Sequence, residues 1–142
     1  MILVSACLVG LNCKYNGGNN YNEKICKLVK EGKAIPLCPE QIGGLKTPRV
    51  PSEIRYIDGK KYVFNKDGED VTKEFICGAK EVFEFAKRMN IDTAILKSKS
   101  PSCGLGKIYD GKFQGNLIDG DGILAEMLIE NGIKVINSDE FI

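Results

Sequence analysis

Residues 2–10 read ILVSACLVG. Ile2–Ala6 is an apolar run short enough for a strand. It lacks the alternation of a half-exposed sheet, so both of its faces must be covered. A cysteine, Cys7, stands where the run ends. Two other stretches repeat the pattern. Residues 34–44, AIPLCPEQIGG, end an apolar run at Cys38, and residues 93–107, TAILKSKSPSCGLGK, place Cys103 just beyond Thr93–Leu96.

Working outward, Glu23–Glu31 carries Ile25, Leu28 and Val29 at helical spacing and stops at Gly32. Ala34–Leu37 is a second strand, and Pro39–Pro51 reads as a long loop, a length often tied to function. Ile54–Ile57 and Tyr62–Asn65 flank Asp58-Gly59, a hairpin signal. Thr72–Met89 is the longest helix, with Thr72 as its expected N-cap and Phe75, Ile76, Ala79, Val82, Phe83 and Ala86 as its buried face. Thr93–Leu96 is a third core strand. A smaller hairpin is expected around Asp110-Gly111, from Lys107–Asp110 and Lys112–Gln114. Ile123–Glu130 is a helix stopped by Gly132, and Lys134–Ile136 is the last strand.

Strands alternating with helices predict an α/β fold, a doubly wound parallel sheet with helices on both faces and two inserted β-hairpins. Right-handed crossovers favour the strand order 2-1-3-4. Ligands then bind beyond the carboxyl ends of the strands, at the switch point between the first and third. A chain of 142 residues is expected to form one domain, 1–142.

Lys plus Arg number 20 and Asp plus Glu 19, so charge gives no support for a nucleic-acid partner. The apolar start lacks a basic n-region and a small-residue cleavage site, and no stretch approaches the ~20 apolar residues of a membrane span. A cytoplasmic location is expected, and the oligomeric state is left open. Histidine is absent. That removes Cys-His nucleophile pairs, two-His zinc sites and a histidine general base.

Six cysteines are present, at 7, 13, 26, 38, 77 and 103. Cys7, Cys38 and Cys103 follow three strands that are neighbours in the expected order. With strands ~4.8 Å apart, they converge on a patch about 10 Å wide. Three thiolates suit a metal centre, and the spacing leaves zinc and iron–sulfur both open. No CxxC pair occurs, which argues against a zinc ribbon or a thioredoxin-type motif. Cysteine is also among the most buried residue types, so each alone reads equally well as core. Gly43-Gly44 and Gly104 would let the backbone approach a bulky ligand. Cys13, in the Asn/Gly loop, is within reach of the same patch. Cys26 reads as core and Cys77 as lying on the polar side of its helix.

At these residues the chain resembles a known family. SACLVGLNCKYNGG (Ser5–Gly18), CPEQIGGLKTPRVPSEI (Cys38–Ile54) and KSKSPSCG (Lys97–Gly104) are similar, in order, to the motifs of the thiouracil desulfidase family. The resemblance implies a 4Fe–4S cluster held by Cys7, Cys38 and Cys103, with the fourth iron open. The implied reaction removes the sulfur of a small thiolated pyrimidine without net redox change: the open iron takes the sulfur and water attacks the ring carbon. The resemblance also implies an acid/base carboxylate and a serine, which map to Glu40 and Ser100. With no histidine available, Glu40, two residues from a cysteine, is the natural proton carrier. Arg49 and Glu53 also match the family; a structural ion pair between them is expected, the alternative being that Arg49 grips a substrate carbonyl or phosphate. The alternatives are a non-catalytic protein holding zinc or another metal, and a thiol redox or sulfur-carrier protein pairing Cys13 with Cys7.

Overall fold

The structure, a computed structural model, describes residues 1–141. Four short parallel strands form its centre: β1 (Ile2–Ser5), β2 (Ala34–Leu37), β5 (Thr93–Leu96) and β8 (Lys134–Asn137). Their order across the sheet is β2-β1-β5-β8. This is the expected 2-1-3-4 arrangement. The register pairs Ile2 with Ala34, Leu3 with Ala94, and Ala94 with Val135. Pro36 sits opposite Val4. It is tolerated because β2 is an edge strand, where a missing N–H breaks no ladder.

Alternation along the strands explains the two cores. Leu3, Ala94 and Leu96 face one side, against α3 (Thr72–Arg88) and α4 (Ile123–Glu130), with Phe75, Ala79, Val82, Leu124 and Leu128. Val4 and Ile95 face the other, where Ile25 of α1 (Glu23–Lys30) closes over them. The sheet is therefore dry on both faces, as its near-continuous apolar strands require.

The hairpin of β3 (Ser52–Ile57) and β4 (Lys60–Asn65) forms as expected. Its two turn residues, Asp58 at φ 50° and Gly59 at φ 78°, have the positive angles of a tight primed turn. The second hairpin differs from expectation. β6 (Lys107–Tyr109) pairs with β7 (Leu117–Asp119), and residues 110–116 form a wide loop. Asp110-Gly111 is no two-residue turn. The loop is held on β3 instead: Glu53 Oε1 accepts from the N–H groups of Gly111 and Phe113, and Arg55 Nε donates to the Gly111 carbonyl.

Two helix starts also differ. Thr72 is not the N-cap of α3. Asp70 Oδ1 accepts from Thr72 N, and Thr72 Oγ1 accepts from Val63 N, tying the helix to β4. Within the expected loop, Pro39–Ile42 form one helical turn, α2, with Pro39 at its first position, where a missing N–H costs nothing.

α2 lies directly on α3. A Cβ built on Gly43 would stand 2.0 Å from the Glu74 carbonyl oxygen, and one on Gly78 would stand 1.9 Å from the Pro39 carbonyl oxygen. Backbone meets backbone here, so both positions require glycine. Gly43 thus serves helix packing, not the approach of a ligand. Replacing Gly78 by Ala pits a helix-propensity gain of about 1 kcal/mol against a clash with unyielding backbone. The clash wins, and Gly78→Ala should lose roughly 1–3 kcal/mol. Urea unfolding checks this. An unchanged or raised midpoint would mean that the two helices do not touch as described.

Candidate metal centre

Each of the three strand-end cysteines is set by its own turn. Beyond β1 the chain makes a 3-10 turn, Ala6–Val9, closed by Gly10 at φ 90°. Cys7 lies in it, and Asn20 holds it from outside: Asn20 N donates to the Cys7 carbonyl at 2.9 Å and Asn20 Nδ2 to Cys7 Sγ at 3.5 Å. Cys38 is the residue before α2, with an extended backbone. Cys103 follows a serine turn in which Ser100 Oγ accepts from the N–H groups of both Ser102 and Cys103 at 3.1 Å. That turn also caps α4, since the Pro101 and Ser102 carbonyls accept from Ile123, Leu124 and Ala125. Gly104 packs against the same turn, 2.7 Å from the Ser100 carbonyl to an added Cβ. Its lack of a side chain serves the chain, not a ligand.

The three cysteines line one cavity of about 560 Å³ beyond the carboxyl ends of β1, β2 and β5. Cys13, Asn20, Glu40, Arg49, Lys97, Ser100 and Ser102 line it too. Cys13 is buried at 4% exposure, and its carbonyl lies 3.8 Å from Cys38 Sγ.

Glu40 is the most heavily bonded carboxylate of the cavity. Its Oε1 accepts from Arg49 Nε at 3.2 Å and lies 3.2 Å from Arg49 Nη2. Its Oε2 accepts from Ser102 Oγ at 2.9 Å. Ser102 Oγ is in turn 3.0 Å from Ser100 Oγ. The expected pairing of Arg49 with Glu53 does not form. Glu53 is occupied by the wide loop, and Arg49 turns to Glu40, Thr47 and the carbonyls of Lys46 and Cys13. The resemblance maps the acid/base serine to Ser100, whereas Ser102 touches Glu40 directly; Asn20 is a residue that sequence reading passes over. Ser102 stands in the SPSC motif as plainly as Ser100, but only the fold of the turn shows which hydroxyl meets Glu40. Asn20 lies in an Asn-rich loop with no periodic signal. Cys26 packs at the edge of the α1 core with Sγ 3.9 Å from the Val9 carbonyl, and Cys77 is exposed on α3.

The thiols differ sharply. Hydrogen bonding from Cys13 brings Cys7 down to about 7 against the opposing effect of burial, with help from Asn20 and Lys97. Cys38 also falls to about 7, mainly through Cys13 and then the Gln41 N–H. The cost falls on Cys13, whose own ionisation is pushed up beside those two sulfurs. Burial pushes Cys103 up to about 12. A lowered value means thiolate above pH 7 and thiol below it; a raised one means thiol throughout the neutral range. In the metal-free protein, alkylation of Cys7 and Cys38 by iodoacetamide should therefore climb through a midpoint near pH 7, while Cys103 stays unmodified at pH 9. Peptide mass mapping across pH reads this out, and equal labelling of Cys103 and Cys38 at pH 8 would contradict the assignment.

Among the described residues no three His, Cys, Asp or Glu side chains close on a point that a single ion could occupy. The donor set is three soft sulfurs on separate turns around a roomy cavity. Soft thiolates select Cu(I), zinc or iron–sulfur clusters, and a set spread over a cavity suits a polynuclear cluster better than one ion.

Comparison with known proteins agrees with this chemistry. The sequence profile of the 2-thiouracil desulfurase family matches residues 2–140. The uncharacterized protein YbbK of Bacillus subtilis (strain 168) is 45% identical over 146 residues, covering 99% of this chain and 97% of that protein. A solved structure, the 4Fe-4S-dependent thiouracil desulfidase TudS, superposes with a TM-score of 0.90 at 39% identity over 99% of this chain and 91% of its own. With nearly its whole length matched by the family profile, the chain belongs to the 2-thiouracil desulfurase family.

Proposed function

We propose that this chain is a 4Fe–4S-dependent thiouracil desulfidase that hydrolyses the carbon–sulfur bond of a thiolated pyrimidine. The observation that carries the reading is the meeting, in one cavity, of three strand-end cysteines and a carboxylate wired to two serine hydroxyls. Cys7, Cys38 and Cys103 would hold the cluster. When bound by three thiolates, such a cluster supplies a thiophilic Lewis acid with one position free for a thiocarbonyl sulfur.

The reaction balances without electrons: a C=S group and water give a C=O group and hydrogen sulfide. Both protons of the attacking water must leave the oxygen and end on the departing sulfur. We assign these transfers to Glu40. Arg49 holds Oε1 in place, leaving Oε2 to exchange a proton through Ser102 Oγ to Ser100 Oγ. Ser100 is suited to act at the cavity end of this relay. Its lone pairs are drawn to the Ser102 and Cys103 N–H groups, so its hydroxyl proton is free to point along the chain or at a substrate carbonyl. Positioned acid–base groups of this kind contribute roughly 100- to 10,000-fold in rate.

Six free thiols suit the reducing cytoplasm, where we place the protein. No helix among the described residues is long and apolar enough to cross a membrane.

Anaerobic reconstitution should give a brown protein with about four irons and matching labile sulfide, releasing uracil and sulfide from 2- or 4-thiouracil. Cys7→Ala, Cys38→Ala and Cys103→Ala should each lose the cluster. Colourless protein carrying one zinc, or full iron retained in any of the three variants, would overturn the ligand set. Glu40→Gln should keep the iron and lose turnover roughly 100-fold or more; a wild-type rate would remove Glu40 from the chemistry.

A further inference from the structure

The proposed chemistry acts on a carbon–sulfur bond and leaves open what holds the ring that carries it. A pyrimidine is flat, with two π-faces, and binds well where a fixed aromatic side chain offers it a wall. Three aromatic residues line the cavity: Tyr15, Tyr109 and Phe113. Phe113 stands apart in how it is held.

Phe113 lies in the wide loop between β6 and β7. It is half-buried, yet it packs against neither hydrophobic core. Its backbone has φ 57°, a conformation that a bulky side chain rarely adopts. Among the described residues four non-glycine positions have positive φ. Asp58 and Asn90 are of types that tolerate it. Lys99 and Phe113 are not, and both line the cavity. Such strain persists only where surrounding contacts impose it, and here they are explicit. Glu53 Oε1 accepts from Phe113 N at 3.1 Å and from Gly111 N at 3.0 Å. Arg55 Nε donates to the Gly111 carbonyl at 3.2 Å. Asp110 N donates to the Asn116 carbonyl at 3.0 Å, closing the base of the loop. Gly111 is pressed onto β3, where an added Cβ would stand 2.8 Å from the Ile54 carbonyl oxygen. The loop is thus clamped around a residue that neither core uses and that borders the cavity.

We propose that Phe113 is the specificity-determining wall of the substrate site, its ring stacking on one face of the pyrimidine, and that Glu53 is a positioning residue acting through it. The inference deepens the proposed function and rests on it. The wall orients the thiolated ring within the cavity that the cysteines and Glu40 share. It also selects thiolated rings over acyclic thioamides such as thioacetamide, which have no ring to stack.

The test uses reconstituted protein with iron content measured for each variant. Phe113→Leu, which keeps an apolar side chain and loses the π-face, should hold its iron and raise KM for 2-thiouracil roughly 5- to 150-fold, with kcat nearly unchanged. Phe113→Tyr should restore KM. Should the leucine variant not fold, Phe113→Gly, which suits the backbone angle, makes the same comparison. Glu53→Ala should raise KM in the same way, Glu53→Gln, which keeps an acceptor oxygen, should recover it, and the double variant Glu53→Ala/Phe113→Leu should be no worse than Phe113→Leu. A binding readout is independent of turnover. The chain has no tryptophan, so Phe113→Trp places a single indole in the wall, and uracil, which carries no thiocarbonyl, should quench its emission saturably. An unchanged KM in the leucine or glycine variant, or indole emission that uracil does not alter, overturns this inference alone, and a double variant with additive losses removes Glu53 from it. Reconstituted wild-type protein that releases no sulfide from thiouracil overturns the proposed function and this inference with it.

Discussion

The cavity hangs on one buried ion pair. Glu40 and Arg49 are only 17% and 9% exposed at their side chains, so both charges have given up most of their water. Such a pair contributes little net stability relative to well-packed apolar groups, because desolvation offsets the attraction. Its value here is in what it joins. Glu40 comes from α2, just beyond β2. Ser102, on Oε2, comes from the turn after β5. Arg49, on Oε1, reaches through Cys13 and Tyr15 to the loop after β1. The sheet alone would bring three strand ends side by side and leave their loops to find their own positions. The ion pair gives the loops a common register.

Beneath that pair, the cysteine-bearing turns are seated by backbone, not side chains. α2, which follows Cys38, rests on α3 through Gly43 and Gly78, with carbonyl oxygens where methyl groups would otherwise be. The Cys103 turn rests on the start of α4, where a Cβ on Gly122 would stand 2.5 Å from the Ser102 carbonyl carbon. Its carbonyls satisfy N–H groups that a helix start always leaves unpaired. Backbone contacts of this closeness cannot slide or change rotamer. Placement set this way holds sulfur atoms steadily even where loops are long, and steadiness is what a preorganised site needs.

The core of the fold was legible because it rests on periodicity. Ile2–Ser5, Ala34–Leu37 and Thr93–Leu96 are apolar on both faces, and the helices between them carry one apolar stripe each, so strand order and the meeting of Cys7, Cys38 and Cys103 followed. What was illegible depends on partners far apart in the chain. Asp110-Gly111 has the composition of a tight hairpin, yet Glu53, nearly sixty residues earlier, claims its backbone and opens the loop. Arg49 and Glu53 look like a pair at a spacing of four, but one is needed by Glu40 and the other by that loop. Gly43 reads as room for a ligand until α3 is seen to occupy the space. In each case a local signal met a tertiary demand and lost.

The lack of histidine shapes the site more than any residue present. A histidine-based site can ligate a metal and move a proton with one side chain, so the two tasks compete for it. In the proposed reading they are separated by chemistry: sulfur would ligate, and a carboxylate with two hydroxyls would move protons. Asn20 donates to the Cys7 sulfur and cannot shuttle a proton near neutral pH, while Ser102 touches both sets, 2.9 Å from Glu40 and 3.7 Å from Cys103. In the proposed reaction a proton delivered through Ser102 would emerge beside the cysteine sulfurs, where the departing sulfur needs it. This division suits hydrolytic desulfuration, which needs a soft acceptor and a proton relay side by side and no electron transfer to connect them.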